Sequence, residues 1–156
     1  SIDILQPMYN LVKKQVEVEI LPMAKSENIG VISYSPLGGG LLTGKYSDDS
    51  SVNKNSSGRL HDNAKYKTRY GQQWMFESAL SLKNLAKELN YNPISLAVAW
   101  VSHNDAITAP IISARNLKQL KPSLESVNII LDDENYKLIS DISPTPPPAT
   151  DRLEEV

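Results

Sequence analysis

The sequence predicts an α/β domain in which parallel strands alternate with helices. Three short apolar runs indicate strands: IDILQ at 2–6, GVISYSP at 30–36 and ITAPIISA at 107–114. Helical spacing of apolar residues follows each run, and this alternation is typical of parallel β-α units. At 156 residues, with 40% hydrophobic and 22% charged residues, the chain has the size and composition of one ordinary domain.

The first helix is predicted at 15–28, QVEVEILPMAKSEN, directly before the second strand. Apolar residues recur on one of its faces: Val16, Ile20 and Ala24. Pro22 lies inside this stretch, and a proline in a helix interior costs about 3 kcal/mol. We therefore expect a kink, or a break after which a new first turn begins.

A long polar stretch, 43–73, follows the second strand. About 30 residues without apolar periodicity is long for a compact domain, so such a loop is either functional or disordered. Serine and asparagine are concentrated at 47–57, and we expect this middle part to be mobile.

Two helices are predicted before the third strand. The first carries an apolar stripe: Ala79, Leu82, Leu85, Ala86 and Leu89. Asn92 is the expected N-cap of the second, with Pro93 at its first position. Leu96 and Trp100 are expected on the inner face of this second helix.

The third strand, 107–114, is expected to be buried, with Pro110 tolerated at its start or at a sheet edge. Two helices follow: one from Asn116 to Leu124, with Leu117, Leu120 and Leu124 on one face, and one that begins at Asp132. Residues 1–143 are therefore predicted to form the domain, and 144–156 a stiff, exposed, proline-rich tail.

Three parallel strands make a poor closed domain, because their edges are bare and parallel sheets need cover on both faces. A complete eight-stranded β/α barrel needs about 250 residues, and this chain carries material for three units. It begins at Ser1 with an apolar run rather than with Met, so we expect a segment of something longer or a processed start. Bare edges would also permit self-association.

Composition narrows the classes of partner. The chain has no Cys, and its net charge is −2 without a basic stripe, which argues against thiolate metal sites and nucleic acid. Its two histidines, His61 and His103, lack metal-ligand spacing, and no apolar run approaches the roughly 18 residues of a membrane span. We expect a cytoplasmic protein with no metal, membrane or nucleic-acid partner.

Groups suited to a phosphorylated, ring-bearing ligand follow each predicted strand. They are Gln6, Tyr9 and Asn10 after the first, Tyr34, Ser35, Leu37 and Gly38–Gly40 after the second, and Ser113, Ala114, Arg115, Asn116 and Gln119 after the third. Ligands of β/α folds bind at the carboxyl ends of strands, where small residues let backbone N–H groups approach an anion. A helix N-terminus beside Arg115 would favour negative charge, and the ring of Tyr34 would stack on a flat heterocycle. A dinucleotide has both features.

Three stretches in order, QPMYNLV at 6–12, YSPLGGGLLTGKY at 34–46 and PIISARNLKQL at 110–120, resemble the aldo-keto reductase family. The resemblance covers essentially the whole chain and corresponds to the last three strand-helix units of the family's (β/α)8 barrel. It implies an oxidoreductase that binds NADP(H) and transfers hydride between NADPH and an aldehyde or ketone.

The resemblance also implies roles for individual residues. Gln6 would hydrogen-bond the nicotinamide carboxamide, and Tyr34 would stack on the nicotinamide ring. Residues that would line the pyrophosphate path are Ser35, Leu37 and Gly39. Arg115 would pair with the adenosine 2′-phosphate, which would favour NADPH over NADH.

Other positions are implied with less weight or depart from the pattern. Gln119 would contact the adenine or its ribose. Lys45 and Arg59 lie in the loop that often folds over the cofactor in this family. Ser113 stands where relatives usually have Gly, and Ser123 stands where an Asn commonly contacts adenine.

No catalytic residue is predicted in the chain. The family's proton donor is a Tyr tuned by Lys, Asp and a nearby His from earlier strands, and that set cannot be assembled here. The predicted function is the NADP-binding portion of an aldo-keto reductase, inactive alone. Two alternatives stay open: a non-enzymatic nucleotide-binding module resembling a potassium-channel β subunit, and a remnant of a split reductase.

Overall fold

The computed structural model describes residues 2–46, 60 and 63–148. Strands and helices alternate along the chain as β1 Ile4–Leu5, α1 Ile20–Ser26, β2 Gly30–Tyr34, α2 Ala64–Tyr70, α3 Gln73–Glu88, α4 Pro93–His103, β3 Ala109–Ile111, α5 Leu117–Glu125 and α6 Asp133–Ser140. Short 3-10 turns lie at Gln15–Glu17 and Ser126–Asn128, and Gly38–Thr43 is a kinked segment in which Gly39 and Gly40 have non-helical backbone angles.

The three strands form one parallel sheet in the order β1-β2-β3. Ile4 pairs with Gly30, and Tyr34 at the end of β2 pairs with Ile111 at the end of β3. Parallel pairing places the carboxyl ends of the three strands at one edge of the sheet. The predicted α/β class with parallel strands is confirmed.

The two faces of this sheet differ in burial. Val31 of β2 is fully buried in the main apolar core, whereas Ile4 and Ile111 on the opposite face are 57% and 40% exposed. The prediction of a buried third strand was therefore wrong for β3. The apolar residues of β3 are typical of a strand that is covered on both faces of the sheet. In the described part of the chain, however, the core covers only one face of the sheet.

The first predicted helix is broken into two pieces near Pro22. Of the two outcomes expected there, a kink or a break, the structure has the break. A 3-10 turn at Gln15–Glu17 precedes α1, and Pro22 lies in the first turn of α1, where its missing N–H costs no helical hydrogen bond. The break rotates the buried face, so Leu21 is buried while Ile20 is exposed, contrary to the predicted stripe.

The stretch 43–73 is not a plain polar loop. Helix α2 occupies its second half, with the side chain of Asn63 capping it by accepting from the Lys65 N–H. Tyr70 of α2 is fully buried. A seven-residue helix with so few apolar residues gives almost no periodic signal, so the prediction failed here. The expected mobility of 47–57 and the position of Arg59 lie outside the described residues.

Helices α3 and α4 agree with their predicted faces. In α3, Leu82 is fully buried, and in α4 both Leu96 and Trp100 are fully buried. The side-chain oxygen of Asn92 accepts from the Ile94 N–H at 2.9 Å, which confirms the predicted cap.

The predicted starts of the last two helices agree with the structure to within one residue, and the side chains of Asn116 and Asp132 cap α5 and α6. The leucine face of α5 is open, because Leu117 is 81% exposed, whereas Ser123 is buried. Residues 144–148 have no regular structure and are mostly exposed, and the rest of the predicted tail lies outside the described residues.

A buried polar network ties the end of α6 to the segment that follows β1. The ammonium group of Lys14 donates to the carbonyl oxygens of Ser140 at 3.0 Å and Ser143 at 3.1 Å, and burial lowers the pKa of Lys14. The Tyr9 hydroxyl donates to the Glu17 carboxylate at 2.5 Å, and burial, with this carboxylate, raises the pKa of Tyr9. These bonds fix the closing helix against the core.

Candidate functional site

The residues singled out from the sequence come from three loops at the carboxyl edge of the sheet. Exposed side chains among them are those of Gln6, Ser113, Arg115 and Gln119, and half-buried residues are Tyr34, Ser35, Leu37 and Gly39. The pairing of Tyr34 with Ile111 places the loop after β2 next to the loop after β3.

The backbone of Tyr34 makes two hydrogen bonds to the segment that follows β1. Its N–H donates to the Pro7 carbonyl at 2.9 Å, and its own carbonyl accepts from the Tyr9 N–H at 3.2 Å. Strand-like pairing thus continues past β1, through a bridge between Met8 and Tyr34. This arrangement fixes the segment that starts at Gln6 alongside the end of β2.

The turn after Tyr34 runs through several left-handed residues. Ser35 has a φ of +58°, and Gly38, Gly39 and Gly40 have φ values of +56°, +66° and +99°. Only glycine adopts such a succession without a steric penalty at each residue. The Gly38 N–H donates to the Ser35 carbonyl at 3.0 Å, which closes the turn.

Helix α2 packs directly on this glycine turn. A Cβ atom on Gly39 would lie 2.5 Å from the Tyr66 ring, and one on Gly38 would lie 3.5 Å from the Tyr70 ring. Gly40 is more open, with the Lys45 side chain 3.5 Å from the equivalent position. The glycines therefore admit aromatic rings of the same chain, a reason that the sequence did not reveal.

Tyr9 and Asn10 were predicted among the ligand-binding groups, but both are fully buried, and Asn10 is instead hydrogen-bonded within the protein. Its amide nitrogen donates to the Ser35 carbonyl at 2.9 Å and to the Tyr70 hydroxyl at 3.3 Å, and its oxygen accepts from the Val12 N–H at 3.1 Å. Burial raises the pKa of Tyr70. A lone Asn beside Tyr9 gives no periodic signal, although an asparagine flanked by apolar residues hints at a buried polar contact.

Arg115 lies in the exposed turn that leads into α5. Asn116 caps this helix by accepting from the Gln119 N–H at 3.0 Å, and the Gln119 side-chain oxygen accepts from the Arg115 N–H at 3.3 Å. This pattern is close to a capping box. It holds the backbone of Arg115 beside the helix N-terminus, where the helix dipole adds to the attraction for an anion.

The donors at this edge fit a dinucleotide. A half-buried tyrosine, an exposed glutamine and an exposed arginine stand on adjacent loops, whereas the Gly38 and Gly40 N–H groups already donate to the Ser35 and Leu37 carbonyls at 3.0 Å. Ser123 is buried on the packed side of α5, so its hydroxyl does not stand in for an adenine-binding amide at the surface.

Other types of site receive no support from the described residues. Within them, no group of three potential metal ligands is brought together. Among the helices of residues 2–46, 60 and 63–148, none has the length and apolar character needed to cross a bilayer.

Sequence and structure comparisons place the chain among known proteins. A family profile described as "Aldo/keto reductase family" matches residues 1–144. The chain is 35% identical over 144 residues to the uncharacterized oxidoreductase YrpG of Bacillus subtilis, covering 90% of this chain and 40% of that protein. It is 32% identical over 134 residues to aflatoxin B1 aldehyde reductase member 2 of Rattus norvegicus, covering 78% and 36%.

Two further relatives are a protein named as a channel subunit and an enzyme of solved structure. A probable voltage-gated potassium channel subunit beta of Arabidopsis thaliana is 30% identical over 126 residues, covering 80% of this chain and 38% of that protein. Among solved structures, the glycerol dehydrogenase AKR11B4 from Gluconobacter oxydans matches with a TM-score of 0.68 and 29% identity, covering 89% of this chain and 41% of that one.

The chain thus spans about 40% of the length of the curated relatives that it matches. Within that span, the family profile extends over all three strands and the helices α1 to α6. The chain belongs to the aldo/keto reductase family.

Proposed function

We propose that this chain is the NADP(H)-binding part of an aldo-keto reductase that transfers hydride between NADPH and an aldehyde or ketone. The observation that carries the proposal is the meeting of three loops at one sheet edge: the first bears Gln6, the second Tyr34 and the glycine turn, and the third Arg115. Ligands of β/α folds bind at such edges.

The residues at this edge have binding and orienting roles. The Gln6 carboxamide hydrogen-bonds the nicotinamide carboxamide, and the Tyr34 ring stacks on the nicotinamide face. Arg115 pairs with the 2′-phosphate, because a guanidinium offers parallel N–H donors to phosphate oxygens. The Gln119 amide reaches the adenosine, while the backbone around Ser35, Leu37 and Gly39 lines the pyrophosphate path.

When bound, NADPH supplies the hydride, and this chain supplies its placement. A Tyr34 ring stacked on the nicotinamide would cover one face of that ring and leave the other face open to a substrate. None of the chain's residues is assigned as the proton donor. The substrate class, a carbonyl compound, is supported by the names of an aldehyde reductase and a glycerol dehydrogenase among its relatives.

A second candidate function is a nucleotide-binding regulatory module without turnover. The observation that favours it is the similarity to a protein named as a probable potassium channel β subunit. A third candidate is the remnant of a split reductase. An assay of carbonyl reduction, followed by the loss of NADPH absorbance, separates the reductase from the other two candidates. Sustained turnover by the full-length protein supports the reductase, and binding without turnover supports the others.

The cofactor proposal is tested by fluorescence titration of the full-length protein with NADPH and with NADH. Arg115→Ala removes the proposed phosphate contact, and hydrogen bonds to charged groups contribute about 1.5–3 kcal/mol. NADPH should therefore bind about tenfold to hundredfold more weakly, whereas NADH affinity changes little. Lys118→Ala, an exposed cation in the first turn of α5, is the matched control. An equal loss for both cofactors would remove the role of Arg115.

A further inference from the structure

We propose that Asn10 is a positioning residue that couples helix α2 to the turn presenting Tyr34. The proposal rests on the proposed function, since the coupled turn is the one that would hold the cofactor. Asn10 acts through Ser35 on one side and through Tyr70 on the other.

Asn10 is fully buried, and both polar atoms of its carboxamide are hydrogen-bonded. Its nitrogen donates to the Ser35 carbonyl at 2.9 Å and to the Tyr70 hydroxyl at 3.3 Å, while its oxygen accepts from the Val12 N–H at 3.1 Å. Leaving a buried polar group without its partner is costly, so each bond resists a change in the other two.

The bond to Ser35 acts at a strained point of the backbone. Ser35 adopts a φ of +58° directly after Tyr34, and a residue with a Cβ pays for that conformation. Its carbonyl accepts from two donors, the Asn10 amide at 2.9 Å and the Gly38 N–H at 3.0 Å. Asn10 therefore stabilises the left-handed backbone of Ser35, which connects Tyr34 to the glycine turn.

The bond to Tyr70 carries this restraint to helix α2. The Tyr70 hydroxyl accepts from Asn10 and donates to the Met8 sulfur at 3.2 Å, and its ring lies against Gly38. Tyr70 is fully buried and is the last residue of α2. A shift of α2 would thus break a hydrogen bond to the same amide that holds Ser35, and the two elements move together.

The test is a double-mutant cycle read by amide hydrogen exchange in the full-length protein without cofactor. Asn10→Ala should speed exchange of the Gly38 N–H about tenfold, the factor for losing one net hydrogen bond of a buried group. Tyr70→Phe, which keeps the ring, should speed exchange at the same amide. The double variant should exceed neither single variant by more than about twofold, since both remove one shared link.

Tyr91→Phe, which removes the hydroxyl of an exposed tyrosine outside this cluster, is the matched control and should add its effect independently. If Asn10→Ala does not fold, Tyr70→Phe alone decides: it must speed exchange at Gly38 while leaving α4 amides unchanged. Strictly additive effects, or a uniform rise in exchange over the whole chain, would overturn the coupling.

NADPH titration of the same variants separates this proposal from the proposed function. Tyr70→Phe should weaken NADPH binding several-fold, about the factor by which it loosens the turn. Coupled exchange with unchanged NADPH affinity in Tyr70→Phe overturns the positioning role. If the wild-type protein binds no NADPH, the proposed function fails, and the exchange cycle still decides whether Asn10 links α2 to the turn.

Discussion

Replacing Gly39 with alanine tests how closely helix α2 packs on the glycine turn. The new Cβ would lie 2.5 Å and 2.8 Å from two carbons of the Tyr66 ring, so that ring must move. Such overpacking typically costs about 1–3 kcal/mol. The left-handed φ of +66° adds about 1–2 kcal/mol for a residue with a Cβ.

One effect opposes this loss, because alanine reduces the entropy of the unfolded chain by about 0.4–1 kcal/mol. We therefore expect Gly39→Ala to lower the free energy of unfolding by about 2–4 kcal/mol. Gly40→Ala is the matched control: its φ is also positive, but its nearest neighbour is the Lys45 side chain at 3.5 Å. It should cost only about 1 kcal/mol, which is the backbone penalty less the entropy effect.

Urea denaturation of the full-length protein measures both values, and the m-value checks that the unfolded states are comparable. In a Tyr66→Ala background, the excess cost of Gly39→Ala over Gly40→Ala should vanish, because the ring that the new methyl group strikes is gone. Equal costs for the two single variants would refute the packing of α2 on Gly39.

Three further outcomes concern two buried side chains, Lys14 and Tyr9, and the exposed cap Asn92. Lys14→Met should lower the free energy of unfolding by about 2–4 kcal/mol, since two buried carbonyls at the end of α6 lose their donor, and thermal melts measure the loss. Tyr9→Phe tests pH dependence by urea titrations at several pH values. The raised pKa of Tyr9 means that above pH 10 the unfolded state gives up a proton that the folded state keeps, so wild-type stability falls by up to about 1.4 kcal/mol per pH unit from this group. The variant lacks that contribution, so its deficit should be constant below pH 10 and shrink above it; a constant deficit at all pH values contradicts the assignment. Asn92→Ala should cost about 1 kcal/mol through loss of its cap on α4, and a cost near zero would contradict the cap.

Elements with a strong local signal could be predicted from the sequence. Asn92 followed by Pro93, and the buried pair Leu96 and Trp100, specify α4 through short-range rules that hold whatever packs around them. The break at Pro22 is of the same kind, because a proline imposes its own backbone geometry.

Features that depend on distant partners could not be predicted. Helix α2 is short, and its stability comes from Tyr66 and Tyr70 packing on glycines about thirty residues earlier in the chain. The exposure of Ile111 likewise depends on what covers the sheet, which a strand's own residues do not state.

In the candidate site, too, local stretches could be predicted and contacts between distant residues could not. Tyr34, the glycine turn and Arg115 form recognisable stretches, and the parallel sheet brings their loops to one edge. Asn10 was predicted among the ligand-binding groups, and its buried contacts could not be foreseen, because its three hydrogen bonds join residues that are 2, 25 and 60 positions away.

The central claim is that the carboxyl edge of β1, β2 and β3 holds NADP(H). Amide hydrogen exchange of the full-length protein with and without saturating NADPH tests it most directly. The account predicts slower exchange in two stretches, 34–40 and 113–119, with little change in the distant helix α6. Tight NADPH binding that leaves both stretches unprotected would contradict the account.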